Sequence, residues 1–435
     1  TKVAVTVYAG GLVFQQVFGI KELWGIDFFW IAAIGLVVLT ALYTIFGGMK
    51  SVLYTSVLQT PILLLGSLII LVLGFKELGG WDEMMRVCGA VTVNDYGDTM
   101  TNLIRSNDDA NFPWLGALIG SAIIGFWYWC TDQFIVQRVL SGKNEMEARR
   151  GTIFGAYLKL LPVFLFLIPG MIAFALHQKY IGAGGEGFLP MLENGTANAD
   201  AAFPTLVAKL LPAGVKGLVV CGILAALMSS LASLFNSSAM LFTIDFYKRF
   251  RPQTSEKKLV GIGQVATVVI VILGILWIPI MRSVGDVLYT YLQDVQSVLA
   301  PGIAAAFLLG ICWKRTSAQG GMWGLISGMV IGLTRLGAKV YYSNAGEVAD
   351  STFKYLFYDM NWLFFCGWMF LFCIIVVIVV SLATEAPTAE KIQGLVFGTA
   401  TKEQKASTRA SWNHWDIIHT VIILAITGAF YWYFW

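Results

Sequence analysis

Long apolar runs recur along almost the whole sequence, and they limit its possible folds more than any other feature. An α-helix needs about 20 predominantly apolar residues to cross the hydrocarbon core of a bilayer. Runs of this kind predict membrane spans at residues 1–19 (a partial span), 27–47, 51–75, 114–140, 152–177, 213–244, 259–281, 284–312, 320–341, 361–383 and 414–435. Charged residues make up only 13% of the chain, against about 25% in an average soluble protein. We therefore predict an all-α membrane protein whose outer surface is covered by lipid.

The distribution of Lys and Arg predicts how these spans are oriented, because cytoplasmic loops are enriched in both residues. Clusters of basic residues occur in four loops, at 143–150, 248–258, 314–315 and 384–413. Alternation of the spans places all four on one side, which we predict to be cytoplasmic. The loops at 76–113 and 179–211 are acidic or mixed, and they are then extracellular.

We predict a single polytopic transmembrane domain over residues 1–435, located in a plasma membrane or bacterial inner membrane. The chain has no initiator Met and begins inside a helical run, so we expect a further N-terminal segment. The net charge of +3 is too small to indicate a nucleic-acid partner. The six cysteines show no metal-binding spacing, which favours a packing role. Nothing in the sequence indicates an oligomeric state.

Lys159 is the clearest ionisable residue inside a predicted span, in the segment GAYLKLLPVF. It lies roughly 12 Å along the helix from the start of that span. An ionisable residue at such a depth indicates a functional site by default, although a lysine near a helix end can also extend its ammonium group to the interface. Pro162 and Pro169 follow it and can distort the helix, as in transporter helices that line a cavity.

Gln293 and Asp294 are polar residues well inside another predicted span, in YTYLQDVQSVLAPG, whereas Asp286 is expected at the interface. A neutral amide is both donor and acceptor, which suits a ligand with several hydroxyl groups. A hydrogen bond between two helices explains Gln293 at least as well. The sequence leaves both interpretations open.

The predicted span 213–244 contains a stretch rich in Ala and Ser, in ILAALMSSLASLFNSSAMLFTIDFYKRF. Close helix packing explains this composition without any ligand. Ser229 and Ser230 also provide hydroxyl oxygens, to which unwound backbone can add carbonyl oxygens. Hard cations prefer such oxygen ligands, so a cation site is the alternative interpretation.

Three consecutive aromatic residues, Trp127, Tyr128 and Trp129, are followed directly by polar residues in GFWYWCTDQFIVQR. Their place in the inner half of a span is compatible with an interfacial aromatic belt. Three adjacent rings cover most of the helix circumference, so at least one is expected to face the protein interior. An aromatic face can stack against a sugar ring. Asp132 and Arg138 are expected to make helix contacts at the cytoplasmic end.

Taken together, these segments resemble the sodium:solute symporter family, in particular its sodium/glucose cotransporter branch. The matching segments are TALYTIFGGMKSVLYTSVLQT at 40–60, YWCTDQFIVQR at 128–138, YLKLLPVFLFLIPGMI at 157–172, AALMSSLASLFNSSAMLFTIDFYK at 225–248 and APGIAAAFLLGICWKR at 300–315. The resemblance extends over nearly the whole chain. It implies a LeuT-type fold of two inverted five-helix repeats with extra C-terminal helices, whose first core helices are missing from this chain.

The resemblance also implies a substrate site. Lys159 and Gln293 are expected to contact the hydroxyl groups of a sugar. Tyr128 is expected to close the inner side of the site and to stack on the sugar, with Trp129 beside it. Tyr289 stands where family members carry Phe near the outer gate.

A sodium site is implied in the same way. The carbonyl of Ala226 and the hydroxyls of Ser229 and Ser230 are expected to bind one sodium ion. Members that carry two sodium ions have an acidic residue at the position of Ser56 and Thr at the position of Ala232. Both differences predict one sodium ion rather than two.

The predicted function is sodium-coupled uptake of a hexose by alternating access. Gly125 stands where several sugar transporters carry a polar contact residue, so the identity of the sugar is open, and an inositol or an organic acid is an alternative substrate. A membrane enzyme is disfavoured, because the sequence has no HExxH, GxSxG or phosphate-binding loop. A sensor built on a transporter scaffold is a further alternative.

Overall fold

The computed structural model describes residues 2–192, 195–279, 288–345 and 349–434, with backbone only at positions 43, 45–52, 55, 58 and 344. Asp286, predicted at an interface, lies outside the described residues. The chain divides into two compact units. The first unit comprises Thr1–Val93, Thr99–Thr101 and Leu158–Arg282, and the second comprises Asn94–Asp98, Asn102–Tyr157 and Ser283–Trp435.

The described residues of the first unit are mainly helical and include one short hairpin. In chain order it contains α1 (Lys2–Phe18), β1 (Glu22–Leu23), β2 (Ile26–Asp27), α2 (Phe28–Leu78), α3 (Trp81–Gly89), the end of α6 (Glu145–Pro162), a π-helical turn (Val163–Leu167), α7 (Ile168–Gly182), a 3-10 turn (Ala199–Ala201), α8 (Ala202–Leu210), α9 (Ala213–Met240), a second π-helical turn (Leu241–Tyr247), α10 (Lys248–Phe250) and α11 (Glu256–Leu276). This hairpin was not predicted, because strands of two residues show no alternating pattern. Its turn places Trp24 and Gly25 at φ values of 56° and 74°, as expected for a two-residue hairpin turn.

The second helix differs from the prediction of separate spans at 27–47 and 51–75. Its backbone is helical over 51 residues, from Phe28 to Leu78. The Asp27 carboxylate caps its start by accepting from the Phe29 N–H, and Gly79 ends it with a φ of 114°. Pro61 is the one proline inside the helix, so no proline interrupts residues 48–50, where two predicted spans were separated. The helix is about 76 Å long at 1.5 Å per residue, which far exceeds a bilayer core of about 30 Å.

The core of the first unit lies between α1, α2, α7, α8 and α9. Its fully buried residues include Ile70, Ile172, Leu206 and Val219. Small residues bring α2 and α9 close together, since a Cβ on Gly66 would lie 2.5 Å from Val219 Cγ2. Small residues at helix crossings are common in membrane proteins, where they allow close backbone approach.

The second unit is also helical. It contains α4 (Trp114–Cys130), α5 (Gln133–Leu140), most of α6, α12 (Leu288–Cys312), α13 (Ala318–Asn344), α14 (Thr352–Lys354), a π-helical turn (Tyr355–Asp359), α15 (Trp362–Ala383), α16 (Ala389–Ile392), α17 (Lys402–Ala410) and α18 (His414–Tyr433). The short helices α16 and α17 lie in the segment 384–413 that was predicted as a cytoplasmic loop.

The core of the second unit lies between α4, α12, α13 and α15. Glycines allow close backbone approach at two helix crossings in this core. A Cβ on Gly120 of α4 would lie 2.8 Å from the Leu363 carbonyl oxygen of α15, and a Cβ on Gly332 of α13 would overlap the Val298 carbonyl oxygen of α12. These backbones could not approach so closely with larger residues at either position.

Within the described residues, seven helical segments are long and apolar enough to cross a membrane, or eight if α4 and α5 form one span. Ten full spans were predicted, and the two exceptions are 27–47 and 320–341. The first is part of α2, where only Phe28–Leu42 is a short apolar segment. The second corresponds to α13, whose Arg335, Lys339 and glycines lower its mean hydropathy.

The loop before α4 is ordered by Asp109, which lies outside the membrane-spanning segments. Its carboxylate accepts the backbone N–H groups of Asn111 and Phe112 at 2.9 and 2.7 Å. Burial acts to raise the pKa of Asp109, but these hydrogen bonds and that from Asn94 outweigh it, so the pKa lies below its ordinary value. The loop thereby fixes the position at which α4 begins.

Candidate functional site

The predicted sodium ligands lie on one face of α9 in the first unit. Ala226, Ser229 and Ser230 are spaced by three and four residues, which places them together on a helix surface. Ser229 is buried, and its hydroxyl lies 2.6 Å from the hydroxyl of Ser56 on α2. The Ser229 carbonyl accepts a hydrogen bond from Ser233 Oγ at 3.0 Å. We refer to Ser56, Ser229 and Ser233 as the serine seam.

The chemistry of this region fits a hard monovalent cation. Hydroxyl and carbonyl oxygens are ligands of this class of ion, and the residues that the structure describes contain no group of three His, Cys, Asp or Glu that could hold a metal. One part of the prediction differs. The α9 backbone is helical from Ala213 to Met240, so no unwound turn supplies carbonyls, and Ala226 offers only the carbonyl lone pair that its helical hydrogen bond leaves.

Lys159 lies on α6, where its side chain is exposed on the surface of this chain. The distortion predicted from Pro162 and Pro169 is present as the π-helical turn Val163–Leu167, which lies between these prolines. Such turns widen the helix locally and occur frequently at functional sites. The helix continues beyond the turn as α7, so the distortion does not interrupt it.

The aromatic segment lies at the end of α4 in the second unit. Trp127 is the buried ring, and it packs in the core with Ile123 of α4 and Leu363 of α15. Tyr128 is half-buried, and Trp129 is 51% exposed. The Tyr128 and Trp129 ring centroids are 5.3 Å apart with perpendicular planes. The expectation of one inward ring is therefore met by Trp127, which the prediction had not selected.

A break follows these aromatic residues, where a continuous span at 114–140 had been predicted. The axes of α4 and α5 differ by 48°. Thr131 Oγ1 donates to the Trp127 carbonyl at 2.7 Å, and the Asp132 carboxylate caps α5 by accepting the Phe134 N–H at 3.2 Å. Thr131 and Asp132 thus end one helix and begin the next. The Thr-Asp pair in the sequence was the signal for this break, because both residues favour helix ends.

Tyr289 and Gln293 lie one turn apart near the start of α12. Tyr289 is 58% exposed and its side chain lies beside that of Gln293, which is half-buried. The next residue, Asp294, is buried and forms ion pairs with Arg335 and Lys339 of α13. We refer to these three residues as the ionic cluster. Asp294 was recognised in the sequence as a polar residue inside a span, but its partners were not, although two basic residues four apart in another predicted span were a signal for them.

The two units divide the predicted residues between them. The first unit contains Lys159 and the three sodium candidates, and the second unit contains Tyr128, Trp129, Tyr289 and Gln293. Within each unit the structure brings together Ser229 with Ser56, and Tyr128 with Trp129.

Comparisons with known proteins agree on one family. The model of the sodium:solute symporter family matches residues 1–328. Human sodium/myo-inositol cotransporter 2 is 36% identical over 410 residues, covering 92% of this chain and 60% of that protein. Bovine sodium/mannose cotransporter SLC5A10 is 35% identical over 461 residues, covering 100% of this chain and 75% of that protein. Mouse sodium/glucose cotransporter 4 is 35% identical over 410 residues, covering 92% and 59%. The chain thus spans about three fifths of the length of the inositol relative.

A solved structure of a Na+-coupled sialic acid symporter, in a substrate-bound outward-open state, is similar in fold. Its TM-score is 0.63 at 21% identity, with 89% of this chain and 74% of that chain covered. At this identity the likeness concerns the fold alone, and it confirms the prediction of an all-α membrane protein of the LeuT type. The membrane-enzyme alternative is excluded, because the matched family and relatives are transporters. The chain belongs to the sodium:solute symporter family.

Proposed function

We propose that this chain forms the greater part of a plasma-membrane symporter that couples inward sodium movement to uptake of a sugar or cyclic polyol. The observation that carries the proposal is the serine seam, which places the buried Ser229 hydroxyl of α9 2.6 Å from the Ser56 hydroxyl of α2. Three relatives support the substrate class by their names, since myo-inositol, mannose and glucose all carry several hydroxyl groups.

One sodium ion per substrate is the proposed stoichiometry. The resemblance to the family supports this stoichiometry, because Ser56 and Ala232 stand where members that carry two sodium ions have an acidic residue and Thr. A membrane potential of about 100 mV provides roughly 2.3 kcal/mol per charge, and a tenfold sodium gradient adds about 1.4 kcal/mol. Together these can concentrate a substrate about 500-fold, so one ion is sufficient.

The substrate contacts are proposed residue by residue. Lys159 and Gln293 would donate hydrogen bonds to substrate hydroxyls, and Gln293 can also accept one. Tyr128 would stack on the apolar face of the substrate ring, with Trp129 beside it. Tyr289 would close the outer side, which its exposure at the start of α12 allows.

The test is uptake into proteoliposomes by the full-length protein that contains this chain. Labelled glucose, galactose, mannose and myo-inositol are each supplied with an inward sodium gradient and with a choline gradient as control. We expect sodium-stimulated accumulation of at least one. Accumulation of a carboxylate alone would refute the polyol site and retain the symporter, and the absence of uptake for every solute would favour the sensor alternative.

Variants separate the ion site from the substrate site. We expect Ser229→Ala to raise the sodium concentration for half-maximal uptake by about tenfold, since loss of one ligand costs on the order of 1–2 kcal/mol. Lys159→Ala and Gln293→Ala should raise the substrate half-saturation instead. Matched controls are Ser238→Ala on the same helix as Ser229, Lys143→Ala in a loop and Gln264→Ala, whose side chain is exposed on α11. If the site variants and their controls have the same half-saturation concentrations for sodium and for substrate, the proposed ion and substrate residues are refuted.

A further inference from the structure

The ionic cluster lies within the helical core of the second unit. Lys339 Nζ lies 2.5 Å from Asp294 Oδ2, and an Arg335 guanidinium nitrogen lies 3.7 Å from Asp294 Oδ1. Arg335 is fully buried, while the Asp294 and Lys339 side chains retain 10% and 21% of their exposure. One carboxylate thus faces two cations, and both cations come from one face of α13.

The two cations have different partners. Arg335 donates to the carbonyls of Leu356 and Met360 at 3.3 and 2.7 Å, and it stacks 4.1 Å from the centre of the Phe365 ring. These contacts tie α13 to the turn that precedes α15 independently of Asp294. Lys339, by contrast, has the Asp294 carboxylate as its close partner. Arg335 therefore anchors α13, and Lys339 joins α13 to α12.

A proline weakens α12 close to the ionic cluster. Pro301 lies inside α12 and removes one backbone N–H, so the Ser297 carbonyl loses its usual helical partner. The Ser297 hydroxyl donates back to the Asp294 carbonyl at 2.6 Å. A helix weakened at this point can rotate or bend more readily, and Asp294 lies on the side of Pro301 that also carries the candidate substrate residues.

Helix geometry connects the ion pair to those residues. Tyr289 and Gln293 share a face because they are four residues apart, and Asp294 points about 100° away from Gln293. When Asp294 is held by Lys339, the rotation of this part of α12 is fixed, and so is the direction in which Gln293 points. We propose that Asp294 and Lys339 form a positioning pair that orients Tyr289 and Gln293 toward the substrate, an inference that rests on the proposed function.

The test is a double-mutant cycle in the full-length protein. The variants are Asp294→Asn, Lys339→Gln and the two combined, and the readouts are the half-saturation constants for substrate and for sodium. Each single variant should raise the substrate constant by about ten- to hundredfold, because a small misplacement of a binding group has effects of that size. The sodium constant should stay within about twofold, and the double variant should be no worse than the poorer single variant.

The matched control is an exposed ion pair of the same unit. Lys354 Nζ lies 2.8 Å from Asp350 Oδ1, and the Asp350 side chain is 94% exposed. The corresponding Asp350→Asn and Lys354→Gln variants should leave both half-saturation constants unchanged, since surface pairs contribute little.

Several outcomes would overturn the inference. If the single variants lower the amount of folded protein and the maximal rate but leave the substrate constant unchanged, the pair is merely structural. If Asp294→Asn does not fold, Lys339→Arg and Lys339→Met provide the test, because only Lys339→Arg keeps the positive charge. Equal half-saturation constants for substrate in these two variants would refute a positioning pair. A wild-type protein without sodium-stimulated uptake would refute the proposed function itself, and the inference with it.

Discussion

The serine seam between α2 and α9 and the ionic cluster between α12 and α13 are both polar, but they differ in charge. Each lies between two helices that a glycine allows to approach closely elsewhere along their length, at Gly66 in the first unit and at Gly332 in the second. The serine seam contains only neutral hydroxyl groups, and the ionic cluster contains three full charges.

This difference indicates different roles. Neutral hydroxyls can exchange a hydrogen bond for a cation contact without leaving a buried charge unpaired, because they carry no charge of their own. The ionic cluster cannot release a member in this way, since removing one partner from a buried pair leaves the other uncompensated. The serine seam is therefore suited to a ligand that comes and goes, and the ionic cluster to a fixed geometry.

The largest effect that would separate the two regions is expected for Arg335→Met. Removing this buried guanidinium removes the hydrogen bonds that it donates to the Leu356 and Met360 carbonyls. It also removes one of the two cations that face the Asp294 carboxylate. We expect a loss of about 3–5 kcal/mol in the free energy of unfolding, measured as a lower thermal unfolding midpoint of the detergent-solubilised protein.

The matched control is Arg86→Met, because Arg86 pairs with Glu83 at 2.6 Å on the surface with 70% of its side chain exposed. Its loss should cost less than about 1 kcal/mol. Similar midpoints for the two arginine variants would mean that burial adds nothing to the importance of the ionic cluster.

A smaller effect is expected for Gly332→Ala, which tests the close crossing on which the ionic cluster depends. The new methyl group would overlap the Val298 carbonyl oxygen, which is backbone and cannot rotate away. Overpacking of this kind costs about 1–3 kcal/mol. Gly337→Ala on the same helix is the control, since its Cβ would meet nothing within 4 Å. If Gly337→Ala is as destabilising as Gly332→Ala, the crossing does not account for the loss.

Much of this organisation could be predicted from the sequence. Apolar runs gave most helices to within a few residues, as in α15 and α18, because a bilayer demands long helices with internally satisfied backbones. The same reasoning failed in α2, where Gly47, Gly48 and Lys50 interrupt the apolar pattern but the backbone stays helical. It also failed at Thr131 and Asp132, where side-chain capping outweighed the continuity of the apolar run.

The candidate site could be predicted only in part. The resemblance located the α9 residues, and the structure places Ser229 against Ser56, as a shared polar region would require. The pairing within the ionic cluster was not predicted, because Asp294 and Lys339 are 45 residues apart. The two basic residues four apart in a predicted span indicated a buried partner but not which residue it is. The roles of Lys159, Gln293, Tyr128, Trp129 and Tyr289 remain predictions.

The smallest effect is expected for Ser233→Ala in the serine seam. The Ser233 hydroxyl donates to the Ser229 carbonyl within the same helix, and that carbonyl keeps its helical backbone partner when the hydroxyl is removed. No charge is left unpaired, so we expect a loss of about 1 kcal/mol or less in the free energy of unfolding. Ser238→Ala on α9 serves as the matched control, measured in the same thermal unfolding experiment. A loss for Ser233→Ala as large as that for Arg335→Met would show that the serine seam is a rigid structural element, which is incompatible with hydroxyls that exchange partners when sodium binds.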